Sequence, residues 1–409
     1  MKSFEEKQKQ YAELLVRIGV NIQPGQTLIV KSSLDTAAFA RLLAKTAYEA
    51  GAREVLVDWD DDDLRRIRLL HAPDEAMDDF PQWIAKGYEQ MAEEGAALLQ
   101  IYAPNPDLLK DADPVRVGRV TKARALAFQT FNTYTRTAKI SWLIASVPTP
   151  DWAAKLFPEL GTEAAIAKLW EAIFQMNRVN EADPVEAWKR HIAHLNERRV
   201  ALNEQAFAKL HLRAPGTDLT VALPAEHQWV CAEQLNAKGV TFVPNLPTEE
   251  LFSMPAKLGV EGTVSSTKPL NHGGRVIDGF SLTFREGRIV DYKAETGYDT
   301  LQQLIETDEG SHYLGEIALV PDESPISQSN IVFFNTLYDE NASCHLAIGS
   351  ALPFCLKGGT EMSQEELAER GANKSLIHVD FMIGSAEMDI DGVKTDGTRV
   401  PLFRQGSWV

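Results

Sequence analysis

The sequence His378-Val379-Asp380 lies inside the apolar run SLIHVDFMIG. On a strand, residues i and i+2 project from one face. The imidazole and the carboxylate would then point together into apolar surroundings. A buried charge whose partner is missing costs about 3–5 kcal/mol. A metal ion is one partner that satisfies both groups. A hydrogen-bonded His–Asp pair without metal is the other.

Three further residues have suitable chemistry. His345 lies in LYDENASCHLAIG, a segment rich in turn and capping residues, with the acid Glu340 five positions upstream. Glu316 sits in the apolar run YLGEIALVP, and Glu250 closes NLPTEE after a strand signal and a proline turn. Glu249 competes with Glu250 as the inward-facing acid, and spacing does not separate them. Taken together, Glu250, Glu316, His345, His378 and Asp380 supply three carboxylates and two imidazoles. Two divalent cations, three carboxylates and one hydroxide sum to zero charge, which a partly dry cavity favours. No cysteine is in the set, which fits hydrolytic Zn, Co, Mn or Mg better than a structural zinc site. One shared carboxylate and two terminal ligands per ion leave positions for water and substrate. Cys344 beside His345 is a poor nucleophilic pair, because sequence neighbours seldom face each other on a regular element.

These residues need a scaffold to bring them together. From the start of the chain, helix and strand patterns alternate. Tyr11, Leu14, Leu15 and Ile18 mark one helix face, and Leu42, Leu43, Ala47 and Tyr48 another. Short strand signals fall at Thr27–Lys31, Glu54–Asp58, Leu98–Tyr102 and Ile140–Val147. Strands separated by helices imply βαβ units and a parallel sheet. A helical stripe runs through Ile166, Leu169, Trp170, Ile173 and Phe174, and a long helix is expected from Pro184 to about Lys209.

Beyond Leu212, strand signals come at short intervals. They fall at 219–222, 240–243, 276–284, 288–292, 331–334 and 377–383, with turn signals at Phe284–Arg288, Asp391-Gly392 and Asp396-Gly397. The expected organisation is an α/β N-terminal open-sheet domain over 1–190. An α+β, mostly antiparallel C-terminal catalytic domain follows over 191–409.

Several function classes are excluded or disfavoured. The loop after the first strand, Ser32-Ser33-Leu34-Asp35, has no GxGxxG, and no GxxxxGK[ST] occurs, which argues against a nucleotide site. The run Asp58, Asp60, Asp61, Asp62, Asp63 lacks the glycine and closing glutamate of a calcium loop, and one of these acids is expected to cap the helix at Leu64. The 409 residues carry 41 Lys+Arg against 58 Asp+Glu, a net charge of −17. That balance argues against nucleic acid as a partner. No apolar run reaches about 18 residues, so no membrane span is expected. The first residues lack a secretory apolar core, and three cysteines make no disulfide framework. A cytoplasmic protein is expected.

The segments around the candidate ligands resemble the metallo-aminopeptidases of the aminopeptidase S, aminopeptidase T and aminopeptidase II type. The likeness covers nearly the whole chain. YAELLVRIGVNIQPGQ and AYEAGAREVLVDW carry it in the first half. NLPTEELFSMP, IDGFSLTFREGRIVDYKAETG, YLGEIALVP, LYDENASCHLAIG and NKSLIHVDFMIGS carry it in the second. The resemblance implies a two-domain subunit, a homodimer and two divalent ions in the C-terminal domain. It places the family's ligands on Glu250, Glu316, His345, His378 and Asp380, with Glu316 shared between the ions. Glu340 matches the acid of the family's Asp-Glu-Asn segment and is read either as a residue supporting the ligands or as an acid/base helper. Seven residues after His345, where the family has a tyrosine near the reacting carbonyl, this chain has Leu352.

The implied activity is removal of N-terminal residues from peptides with a free N-terminus by a metal-activated water. Glu316 or Glu340 would handle its proton. Two alternatives stay open in the sequence: another dimetal amidohydrolase, or a weakened family member that acts as a binding protein.

Overall fold

The structure, a computed structural model, describes residues 2–409. The chain forms two compact units. One runs to Ile192 and includes Glu233–Pro247; the other comprises Ala193–Ala232 and Thr248–Val409.

The first unit is built on four parallel strands: β1 (Thr27–Ser33), β2 (Glu54–Asp60), β3 (Ala97–Ile101) and β4 (Trp142–Ala145), in the order β2-β1-β3-β4. Strand β1 is internal, and its run Leu28-Ile29-Val30 is buried, as expected for a strand covered on both faces. The helix Ala37–Glu49 buries Phe39, Ala40, Leu43 and Ala47 along one stripe. The first helix, Phe4–Leu14, starts with a Ser3/Glu6 capping box and continues through a wider turn to Gly19. A Cβ on Gly19 would stand 2.4 Å from the Leu143 side chain, so the glycine permits the close approach of strand β4. In the acidic run, Asp61 accepts from the Leu64 N–H at 3.0 Å and caps the following helix, as expected.

The segment 233–247 packs with this unit although it follows the long helix Pro184–Gln205. Its backbone supplies the reason. Ile144 of β4 bridges Asn245 in parallel and donates to the Pro244 carbonyl, and Val243 donates to the Gly19 carbonyl. The edge of β4 thereby acquires partners. An uninterrupted second domain, as read from the sequence, does not include this excursion.

Besides a two-stranded sheet, Leu270–His272 with Arg275–Ile277, the second unit contains two large antiparallel sheets. One has eight strands, running in space from Arg288–Lys293 through Ser281–Arg285, Val260–Ser265, Thr217–Ala222, Lys209–Ala214, Asp389–Val393 and Arg399–Arg404 to Ser407–Trp408. The other has five: His378–Met382, His345–Gly349, Leu314–Leu319, Leu251–Ser253 and Val230–Cys231. The expected hairpin at Phe284–Arg288 is present, with Glu286 and Gly287 both at positive φ.

Two local expectations fail. Residues 331–334 form no strand. The Asp339 carboxylate instead accepts from the N–H groups of Phe333 (2.8 Å) and Asn335 (2.9 Å), and Phe334 turns to φ +50° between them. Asp391-Gly392 is not a turn but lies within the strand Asp389–Val393. A Cβ on Gly392 would approach the Phe207 ring to 2.5 Å, so the glycine makes room for a core aromatic. Among the described residues, no helix is long and apolar enough to cross a membrane.

Candidate metal centre

Strand register assembles the site. In the five-stranded sheet, Glu316 lies opposite Ala347, and Ala347 opposite Asp380. His378 lies opposite Gly349, and His345 sits two residues before Ala347 on its own strand. The side-chain period of two therefore puts Glu316, His345, His378 and Asp380 on one face. The small residues Ala347 and Gly349 lie between the charged ones and leave room. A register irregularity between Leu314 and Glu316 helps aim the glutamate. Gly315 at that point has no alternative, since a Cβ there would stand 2.4 Å from the Ser350 carbonyl oxygen. Glu250 arrives from the next strand, one residue before Leu251, which pairs with Leu319.

All five sequence-derived residues converge. His345 Nε2 stands 3.1 Å from Glu250 Oε2 and 3.4 Å from Glu316 Oε1. His378 Nε2 stands 3.5 Å from Glu316 Oε2 and 3.4 Å from Asp380 Oδ1. Two clusters result, Glu250–Glu316–His345 and Glu316–His378–Asp380, each with ligand atoms within 4.8 Å of one another. Glu316 belongs to both and turns one oxygen towards each histidine.

The hydrogen bonds define what these clusters can hold. His345 Nδ1 faces the Ser343 carbonyl at 3.1 Å, and His378 Nδ1 faces the Ser350 carbonyl at 2.7 Å. A carbonyl only accepts, so each Nδ1 carries the proton. Each Nε2 then faces carboxylate oxygens, lone pair against lone pair, unless a proton or a cation lies between. Burial opposes charge on His345, but the Glu250 and Glu316 carboxylates overcome it and raise its pKa well above the ordinary value. Burial likewise opposes charge on His378, and Asp380 and Glu316 reverse that. For Asp380, burial pushes upward and the neighbouring His378 pulls its pKa below the usual range. The Asp380 Oδ1 atom is buried without a hydrogen-bond partner. Imidazoles fixed by backbone carbonyls, facing carboxylates and an orphaned oxygen, form a donor set that suits divalent cations.

Glu340 is also buried close by. Burial first, then the charges of Glu250 and Asp380, raise its pKa well above the carboxylate range. Such a group is suited to carrying a proton. Glu250, and not its competitor Glu249, contributes to the clustered ligand atoms; the Glu249 N–H donates to Asn341 Oδ1 at 2.7 Å. Cys344 does not serve as a nucleophile. Its thiol donates to the Val320 carbonyl at 3.3 Å, and burial pushes its pKa up to about 11. Sequence reasoning missed Asn341 and Gly315. A glycine directly before a buried acid in a strand run was the available signal for the second; the first was marked only as a member of the Asp-Glu-Asn segment, with no role given to it.

The sequence profile of the Peptidase M29 family, described as thermophilic metalloprotease, matches residues 4–408. The chain belongs to that family, whose description implies a divalent-metal cofactor. It is 52% identical over 408 residues to aminopeptidase AmpS of Bacillus subtilis, covering 100% of both chains. To aminopeptidase 2 of Geobacillus stearothermophilus it is 50% identical, covering 100% of this chain and 99% of that one. Among solved structures it is similar to wild-type AmpT from Thermus thermophilus, with a TM-score of 0.93 and 41% identity over 100% of each chain. The protein is a metallo-aminopeptidase, a peptide hydrolase.

Proposed function

We propose that the protein removes N-terminal residues from peptides with a free α-amine, at a centre of two divalent ions held by Glu250, Glu316, His345, His378 and Asp380. The observation that carries this reading is Glu316, whose two oxygens face two different histidines at 3.4 and 3.5 Å. The cations, drawn from Zn, Co, Mn or Mg, would supply Lewis acidity towards the scissile carbonyl and a water molecule. Glu340 would accept the proton released by the attacking water and return it to the leaving amine, a role supported by its place beside Glu250 and Asp380 outside both ligand clusters. Glu316 and the two histidines hold the remaining charge in place. Aminoacyl-amides should be hydrolysed and their N-acetylated forms left intact. Equal cleavage of both would point to a general amidohydrolase instead.

Position 352 bears on rate. Leu352 is partly buried and packs against an apolar cluster that includes Phe252 and Cys355. A leucine cannot donate to a developing oxyanion, and one missing donor in other enzymes costs about 10²–10³ in turnover. Leu352→Tyr should raise kcat without changing metal content. A folded, metal-loaded variant with no gain would mean that another donor is present or that 352 does not face the substrate. Tyr338→Phe separates these, because only the first predicts a large loss.

Two further readings belong here. A homodimer is supported by the family resemblance, and light scattering should return about twice the chain mass of 45.4 kDa; the single mass would contradict it. A cytoplasmic location is supported by the three cysteines, all buried and too few for a disulfide framework. Fractionation that places the protein outside the cytoplasm would overturn that reading.

A further inference from the structure

We propose that Asn341 is a positioning residue that couples Glu340 to the backbone beside Glu250, so that proton carrier and metal ligand keep a fixed relation. Its side chain is fully buried. The amide oxygen accepts from the Glu249 N–H at 2.7 Å, across 92 residues of sequence. The amide nitrogen donates to the Leu337 carbonyl at 2.9 Å and faces Glu340 Oε1 at 3.4 Å. The Asn341 main-chain carbonyl is held in turn by the Ser324 hydroxyl at 3.1 Å.

These partners admit one orientation. Rotating the amide by half a turn would set NH₂ against N–H on one side and C=O against C=O on the other. Aspartate preserves the contact to Glu249 but presents an oxygen to Glu340 and to the Leu337 carbonyl. Alanine preserves neither contact. The peptide N–H that Asn341 holds immediately precedes Glu250, whose Oε2 stands 3.1 Å from His345 Nε2. One planar group thus spans the distance between the two parts of the site.

This inference rests on the reading of Glu340 as proton carrier and Glu250 as ligand. Its test is a double-mutant cycle on the full-length metal-loaded protein, with metal affinity and melting temperature measured alongside kcat and KM. Asn341→Asp should keep metal affinity near wild type and lower kcat by about 10–100-fold, with KM within about twofold. In a Glu340→Gln background the same substitution should cost less than about twofold more. Asn341→Ala, which also releases Glu249, should weaken metal binding by about 10–100-fold, the range seen when a residue supporting a ligand is lost.

Equal losses from Asn341→Asp in both backgrounds would show a merely structural role and overturn the coupling. So would an Asn341→Asp enzyme with wild-type kcat. If the aspartate variant does not fold, Asn341→Ala at saturating metal takes its place in the cycle. A loss confined to the Glu340 background then supports the coupling, and equal losses or a wild-type kcat overturn it. Unimpaired turnover of Glu340→Gln alone would instead remove the assigned role of Glu340. In that case the hold on Glu250 is judged by metal affinity of Asn341→Ala, where a wild-type value overturns it.

Discussion

Glu316→Gln should abolish turnover and reduce metal content at both clusters together. Glu316 is the one residue common to Glu250–Glu316–His345 and Glu316–His378–Asp380. Glutamine keeps the shape but replaces one charged oxygen with an NH₂ group, which repels a cation. Whichever way the amide turns, one histidine faces a donor where it had an acceptor. Loss of a group that only supports a ligand costs about 10–100-fold in metal affinity, and loss of a shared ligand should exceed that. His378→Ala should differ in kind, depleting its own cluster more than the other. Metal analysis of the two purified variants checks this. A Glu316→Gln protein with full metal content would remove Glu316 from the centre.

Glu340→Gln should separate binding from chemistry. Glu340 is close enough to Glu250 and Asp380 for their charges to raise its pKa, but it belongs to neither cluster of ligand atoms. Glutamine cannot accept the water's proton, and losing a general base costs about 10²–10⁴ in rate. Metal content and KM should stay near wild type while kcat falls by that factor. Steady-state kinetics with metal analysis on the same preparation reads both quantities. A loss of metal equal to the loss of rate would make Glu340 a ligand rather than a proton carrier.

The parts of this site that were legible in the sequence are those governed by strand periodicity. His378 and Asp380 could be paired because two residues separate same-face positions on a strand, and the run around them was apolar enough to need a strand. Glu316 was visible as an acid in an apolar run. The choice between Glu249 and Glu250 was not legible, because spacing does not fix which acid faces inward and the contact that holds this backbone, Asn341 on the Glu249 N–H, comes from 92 residues away. Residues 331–334 differ from a strand for a local reason. Their apolar character resembles a strand, but the Asp339 carboxylate satisfies the backbone locally and removes the need for a ladder. At Asp391-Gly392 the glycine signalled a turn, whereas its cause was the Phe207 ring packed against the strand. At Gly392 a distant ring, and at 331–334 a nearby carboxylate, overrode a local preference that the residues do possess.

The parallel sheet of the first unit was readable for the opposite reason. Its strands are buried runs flanked by helices, and the βαβ alternation leaves few arrangements. The return of residues 233–247 to that unit has no such local mark, since it is specified by hydrogen bonds to an edge strand and to Gly19.

Hydrolysis is proposed to depend on two divalent ions at the five residues around Glu316. The most direct test measures metal per chain in purified protein alongside amino-acid release from a panel of free-amine peptides, before and after chelation. About two ions per chain are expected, with loss of release when they are removed and recovery when Zn, Co or Mn is returned. Undiminished release from protein shown to be free of metal would contradict the two-ion centre.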